Sequence, residues 1–485
     1  MQRAKVCNVL ITFIFLLVIT GSPLISSGTE PVTENPDVKA ALEVFDAWLQ
    51  YRVQHQEIPG VSIGIVYDQK LIWAKGYGYA DIEKKIPATP STLYRIASLT
   101  KLFTATAILM LRDAGKLQLD DPVANHLDWF RFEDKHSNSA VITIRHMLTH
   151  ISGLTRELET LYWDDMHFPD KEDFIRMFQN SSSIFPRETE YKYSNVAYAI
   201  LGHVIESVSQ ESYSDFITNR ILKPLNMTKT EVLPQPDTPD LATGYEFRKP
   251  GHPRAVEPFT DMAAMLSAGN IASSVVDLSK FLSLHFQVEE PTDNQIIKGS
   301  TLKEMQRVHW LRPDWKSGRG LGWGIYHVNN QVKISHTGYV PGHTSSISAI
   351  PEDKIGVVVL TNAGDGDPSS IADQVWNIVA PMVKKATEII EKPPLADSSW
   401  VKYEGIYEWF DGSVLQVMLL NDGLALIDPA SNNPWEDRIR LDPIAKGVFK
   451  MINQWQAGEL IRFEENESGE ITRLIMPGYS LKRIK

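Results

Sequence analysis

Apolar and polar positions change period several times along the chain. Residues 9 to 20 (VLITFIFLLVIT) are an unbroken apolar run behind Arg3 and Lys5, followed by the small, turn-prone GSPLISSG. A positive stretch, a short apolar run and small residues make a secretory signal peptide of residues 1–28, and the run is short for a span of about 20 residues. Secretion or delivery to the periplasm or cell envelope follows, with no stable membrane insertion after cleavage. An uncleaved N-terminal anchor is the alternative, because Ser26-Ser27-Gly28 is only a fair cleavage site.

From 38 to 55, Val38, Ala41, Leu42, Phe45, Trp48 and Leu49 recur at helical spacing. Period two follows: residues 59 to 81 read as two alternating strands around a turn at Tyr67 to Lys70, a β-hairpin. LYRIASLTKLFTATAILMLRDAGKL restores helical spacing, Gly115 stops it, and the chain stays helical to about residue 225. Strand patterns return over 320 to 364, with a helix over 372 to 390 behind them. Strands at both ends of a helical middle imply an α+β domain over 38–390, one sheet built from distant segments with a helical domain inserted. The Pro-rich EKPPLADSS (391–399) is a linker. Short alternating segments from SVLQVMLL to ITRLIMP then make 400–485 an all-β module, a small barrel or sandwich.

At 485 residues the chain is too long for one hydrophobic core, in line with this division. With 43% hydrophobic residues, 12 Trp, 16 Tyr and 18 Phe, it has the apolar surface to fold. A net charge of -12 offers no basic patch to nucleic acid or an anionic membrane. The single cysteine, Cys7, lies inside the leader, so the exported chain has no disulfide, no thiolate metal site and no cysteine nucleophile.

Three short motifs carry candidate chemistry. Ser98 and Lys101, in RIASLTK, are three apart and share a helical face at a helix N-terminus, where the dipole favours developing negative charge. Alone, S-x-x-K is most often a cap and a solvated lysine. It gains weight from Tyr193-Ser194-Asn195, in a turn before a helix, and from His336-Thr337-Gly338 at the end of a strand. A nucleophile, a second proton carrier and a strand edge of small residues are the parts acyl transfer needs. Other features read structurally. His146 and His150 are four apart but lack the glutamate of H-E-x-x-H, so no metal is expected. GYG (76–78) is no nucleotide loop, and His203 is a packed or capping residue. Trp400, Tyr403, Tyr407, Trp409, Trp435 and Trp455 are core or rim of a barrel before they are a carbohydrate site. Asn180, Asn226 and Asn466 stand in N-x-S/T acceptor sequences.

With S-L-T-K, Y-S-N and H-T-G in this order, the chain resembles the serine hydrolases that group class C β-lactamases, DD-carboxypeptidases, D-aminopeptidases and related esterases. That group is a branch of the penicillin-binding protein superfamily. DPVANHL, ITIRHMLTHISGL and SAGNIASSVVDLSKFL resemble it too, over roughly residues 38 to 385. The resemblance implies a β-lactamase/transpeptidase-like fold with a lipocalin-like C-terminal module, and no cofactor. It makes Ser98 the acylated nucleophile, Lys101 its deprotonating partner and Tyr193 the proton relay. Asn195 would hold the Lys101 amine and touch the substrate amide. The amides of Ser98 and Tyr339 would form the oxyanion hole, and Gly338 would admit the substrate backbone. His336 replaces the lysine usual in class C β-lactamases, which disfavours a β-lactam carboxylate and points to peptides with D-amino acids. Esters, β-lactams, or a penicillin-binding or sensing role without turnover are the alternatives.

Overall fold

The computed structural model describes residues 31–136, 138–287, 295–388, 397–421, 423–452 and 456–485. The expected leader 1–28 lies outside them, as do residues 391–396 of the expected linker and Trp455. The chain divides into two compact units, with the boundary after Thr387.

In the first unit, helix α1 (Pro36–His55) starts where the Asn35 side chain accepts from the amides of Asp37 at 3.0 Å and Val38 at 3.3 Å. Pro36 at its first position gives up an amide that would be unpaired anyway. The expected stripe of Val38, Leu42, Phe45 and Leu49 is buried, each worth about 1.5–3 kcal/mol when fully removed from water. Strands β1 (Gly60–Tyr67) and β2 (Lys70–Asp81) form the expected hairpin. Asp68 and Gln69 turn it with φ of 42° and 66°, the left-handed pair whose twist matches that of the strands. The alternation in β1 has a different meaning from the expected one, because nearly all of β1 is buried. Val61, Ile63 and Ile65 pack with α1, whereas a Cβ on Gly64, on the other face, would meet Leu71 at 3.1 Å and Val275 Cβ at 3.4 Å. Large and small side chains alternate there, not buried and exposed ones.

The remaining elements that position the site are α2 (Thr100–Asp113), α3 (Asn195–Ser209), β3 (Gln331–Val340), β4 (His343–Ile350) and β5 (Ile355–Thr361). The sheet runs Ile86–Pro87, β2, β1, β5, β4, β3, Gly324–Val328, Ser317–Arg319, Trp310–Leu311. Its neighbours are antiparallel throughout, and β1 pairs with β5 from the far end of the unit. One face packs on α1 and the segment Pro368–Thr387. That segment was expected as one helix and contains a π-type stretch at Val375–Val379. The other face packs on α2, α3 and the helix Val275–Leu284. This is the α+β, β-lactamase/transpeptidase-like fold that the resemblance implied.

The second unit is a closed barrel of eight strands in sequence order, from Gly405–Glu408 to Tyr479–Arg483, closed by pairing Tyr407 with Arg483. Tyr403, Tyr407, Phe449, Phe463, Met451 and Leu474 are buried among its core side chains. Trp400 and Trp409 pack at its margin, and Trp435 is exposed.

Candidate active site

Ser98 sits in a single 3-10 turn, Ala97–Leu99, that leads directly into α2. From Thr92 to Leu109 it is the one residue that is not buried. The turn is held from three sides: Ile96 N donates to Ile271 O at 2.9 Å, Leu99 N to Ile96 O at 3.2 Å, and Ser345 Oγ in β4 to Ile96 O at 2.8 Å. Ala97 takes a left-handed φ of 49°, a conformation that costs a residue with a Cβ about 1–2 kcal/mol. Such strain persists where surrounding structure over-determines it, here by fixing the hydroxyl at the mouth of a groove.

The Lys101 amine donates to Ser98 Oγ at 3.1 Å and to Ala268 O at 2.6 Å. The side chain is fully buried, and desolvation pulls its pKa down to about 7; Glu157 opposes this shift and Arg156 adds to it. A large share of the amine is therefore unprotonated at neutral pH and able to accept a proton. Tyr193 lies beside them, its ring 5.0 Å from Lys101 Nζ. Burial pushes the phenol up to about 12, while its hydrogen bond with Ser98 and the nearby Arg156 and Arg319 lower it. A hydroxyl, a poised amine and a protonated phenol thus come together, the set that can move a proton from a nucleophile to a leaving group.

Strand β3 forms the facing wall. His336 and Gly338 lie on its buried side, while Thr337 and Tyr339 are exposed. Burial, then Lys101 and Arg319, hold His336 down to about 3, so its ring is neutral; Nδ1 bonds Thr337 O at 2.8 Å. Gly338 has a nearer reason than the expected approach of substrate. A Cβ there would collide with Ile96 O and Ser345 Oγ and lie 3.1 Å from Ala97 Cβ, so glycine lets the Ser98 turn dock on the strand. Two cavities of about 320 and 360 Å³ meet at Ser98, Arg156 and Tyr339. The first is walled by Trp163, Met262, Val340 and Pro341, with Glu157 and Asn195; the second by Arg319, Tyr191, Tyr193, His336 and Thr337.

The Beta-lactamase family model matches residues 45–379. The chain belongs to the β-lactamase family. It is 31% identical over 318 residues to Protein flp of Staphylococcus aureus, covering 65% of this chain and 62% of that one. It is 30% identical over 306 residues to the putative penicillin-binding protein PbpX of Bacillus subtilis, covering 61% and 69%. A solved structure, the octameric penicillin-binding protein homologue from Pyrococcus abyssi, superposes with a TM-score of 0.62 at 26% identity, over 91% of this chain and 99% of that one.

Within this family fold, one expected contact is absent. Asn195, the first residue of α3, donates to Glu157 Oε1 at 2.5 Å, and the hydrogen bonds of the Lys101 amine go to Ser98 and Ala268 instead. Asn195 Oδ1 is buried and unpartnered at the edge of the groove, so the side chain keeps an acceptor near the place expected for the substrate amide. Ser194 caps α3 by accepting from Ala197 N at 2.9 Å. Arg156, Glu157, Tyr191 and Arg319 were not anticipated. Arg319 lies 4.5 Å over the Tyr191 ring and Arg312 4.7 Å over it, while Arg156 is 5.4 Å over Tyr193. Tyr191 lies two residues before Tyr193, and Arg156 and Glu157 follow ITIRHMLTHISGL after Thr155, whereas Arg319 stands in a separate strand with no motif around it.

His146 and His203 are held in structural roles. His146 Nδ1 accepts from Thr143 N at 3.2 Å in a capping box, and its Nε2 is 3.1 Å from Glu188. His203 packs on Trp129 and Phe174 beside Glu206. Among the described residues, no group of three or more His, Cys, Asp or Glu is placed to hold a metal, and no helix is long and apolar enough to cross a membrane.

Proposed function

We propose that the protein is an exported serine hydrolase acting through an acyl-enzyme on Ser98, and that it removes a C-terminal residue from peptides containing D-amino acids. The buried Lys101 amine, 3.1 Å from Ser98 Oγ and titrating near neutrality, is the observation that carries this reading. Neutral Lys101 takes the hydroxyl proton as Oγ bonds to the scissile carbonyl carbon. The amides of Ser98 and Tyr339 face the oxyanion. Tyr193 hands a proton to the departing amine as the C–N bond breaks, and is reprotonated through Lys101. Water, deprotonated by the same pair, then hydrolyses the ester and frees Ser98.

The two halves of the groove favour the carboxypeptidase direction. A leaving group protonated by Tyr193 lies in the half that holds Arg319, with Arg156 at its border, where a free carboxylate finds two guanidinium groups. The acyl part then fills the half walled by Trp163, Met262, Val340 and Pro341. That apolar wall also favours esters as the second class of substrate. Specificity for D-residues rests on the resemblance and on histidine in H-T-G. Neutral His336 adds no charge of its own, so a β-lactam carboxylate would meet only Arg319 and Arg156, and slow acylation by penicillins is expected beside peptide turnover. Export rests on the leader pattern of residues 1–28. The chain spans 62% of the length of the staphylococcal relative, so activity is proposed for this chain alone.

Intact mass spectrometry with a fluorophosphonate and with penicillin, followed by peptide mapping and a turnover screen, tests the proposal. Expected are an adduct on Ser98, turnover of peptides with a free C-terminal D-residue over their amides, and loss of both in Ser98→Ala. Turnover of esters alone would make it an esterase, adducts without any turnover would make it a binding or sensing protein, and no adduct on folded protein would sink the nucleophile.

A further inference from the structure

Tyr193 sits in a stretch, residues 191–194, that belongs to no helix or strand. Its phenol must nevertheless stay beside Ser98, because a displacement of about 1 Å in such a constellation can cost 10²-fold in rate. Something other than regular secondary structure has to hold it.

His150 grips this stretch on both sides of Tyr193. Its carbonyl oxygen accepts from Lys192 N at 2.8 Å, and its ring Nδ1 accepts from Ser194 N at 3.1 Å. Between these two bonds the imidazole lies against Tyr193, with ring centroids 4.3 Å apart, and its far side meets Tyr198 at 5.0 Å. The backbone of His150 is left-handed, with φ of 60°, although the residue is 2% exposed and carries a full side chain. That conformation ends the helix Ile144–Leu148, with Ile151 N donating to His146 O at 2.9 Å, and histidine, like asparagine and aspartate, adopts it more readily than most residues with a Cβ. Here it accompanies a residue whose carbonyl and ring serve one strand of chain.

We infer that His150 is a positioning residue that holds the main chain on either side of Tyr193 and so sets the phenol beside Ser98. Accepting through Nδ1 requires the neutral ring with its proton on Nε2. The surroundings enforce that form: burial first, then Arg319, Lys101 and His336, keep the ring well below the ordinary imidazole range, and Tyr191, Tyr193 and Tyr198 enclose it. Its role in catalysis rests on the reading of Ser98 and Tyr193 given above, whereas the grip itself does not.

Two variants separate the hydrogen bond from mere packing. His150→Asn keeps an acceptor close to the position of Nδ1 and tolerates the left-handed backbone; His150→Leu has a similar size and no acceptor. Thermal unfolding selects the temperature at which both are folded. Hydrogen exchange then reads the Ser194 amide, and stopped labelling with a fluorophosphonate reads the maximal acylation rate and the half-saturating concentration separately. Expected are lost protection at Ser194 and acylation slowed about 10²-fold at unchanged half-saturation in His150→Leu, with both largely restored in His150→Asn. Unchanged Ser194 protection in His150→Leu, or equal slowing in the two variants, overturns the inference. If wild-type protein takes no label, the acyl-enzyme reading fails while the exchange measurement still decides whether His150 holds the Tyr193 segment.

Discussion

The two units of this chain bury different kinds of side chain. In the barrel, every buried side chain among the described residues is apolar or aromatic, and the Tyr407 hydroxyl is answered by Tyr403 O at 2.8 Å. The first unit buries Lys101, Arg95, Arg187, Asp277 and several histidines. Among the described residues, all the buried polar side-chain atoms without a partner also belong to it, with His150 Nε2, Asn195 Oδ1, Arg319 Nε and His336 Nε2 around the groove. A polar group taken from water without a partner costs about 1–3 kcal/mol, and a buried charge more. The barrel is thus organised for stability. The first unit gives up stability around Ser98 in exchange for groups whose protonation is displaced from its ordinary range.

That contrast can be broken, and the largest effect is expected at Lys101. Lys101→Met keeps the volume and removes the amine; acylation of Ser98 should fall by about 10³-fold or more with the fold retained, measured by labelling rate and circular dichroism. In the wild type the acylation rate should rise with pH through about 7, as the amine loses its proton. The sign for stability follows. The unfolded chain keeps this proton up to about 10.5 and the folded chain only to about 7, so burial of Lys101 penalises the fold fully below pH 7. The penalty fades as pH rises above 7. A flat profile between pH 6 and 8 would remove the poised amine from the comparison.

A middle-sized effect is expected in the barrel. Leu474 is fully buried, and Leu474→Ala should lower the stability of the barrel by about 2–5 kcal/mol in denaturant unfolding. A loss below about 1 kcal/mol would mean that its interior is loosely packed. The smallest effect belongs to Phe410, 88% exposed in the hairpin turn between Glu408 and Val414: Phe410→Ala should stay within about 0.5 kcal/mol by the same measurement.

Elements whose signal is local were legible in the sequence. The α1 stripe appears as Val38, Leu42, Phe45 and Leu49, the hairpin as two patterned runs around Tyr67 to Lys70, and the start of α2 as the return of helical spacing after Arg95. The proximity of Ser98 and Lys101 follows from a spacing of three on one helical face. Less legible were features whose causes lie elsewhere in the chain. The burial of β1 on both faces depends on the helix Val275–Leu284, and the need for glycine at 338 depends on Ile96, Ala97 and Ser345. The expected bond from Asn195 to Lys101 gave way to Glu157, whose nearness to α3 no periodicity announces.

The sequence by itself determined the helix, hairpin and start of α2 at the front of the first unit, the return of strands over 320 to 364, the division into an α+β unit and a β module, and which hydroxyl, amine, phenol and histidine were worth watching, because periodicity and short spacings act within a few residues. The helical run expected to about residue 225 is instead broken into separate helices and irregular chain. Only the tertiary structure decided what that hydroxyl, amine, phenol and histidine became. Burial moved Lys101 toward neutrality and left His336 uncharged, Arg156 and Arg319 arrived at the groove from separate segments, and the chain around Tyr193 was held by His150. The reason is physical: desolvation, charge and hydrogen-bond partnership depend on what packs around an atom in space, and the neighbours that decide them here are contributed by segments far apart in the chain.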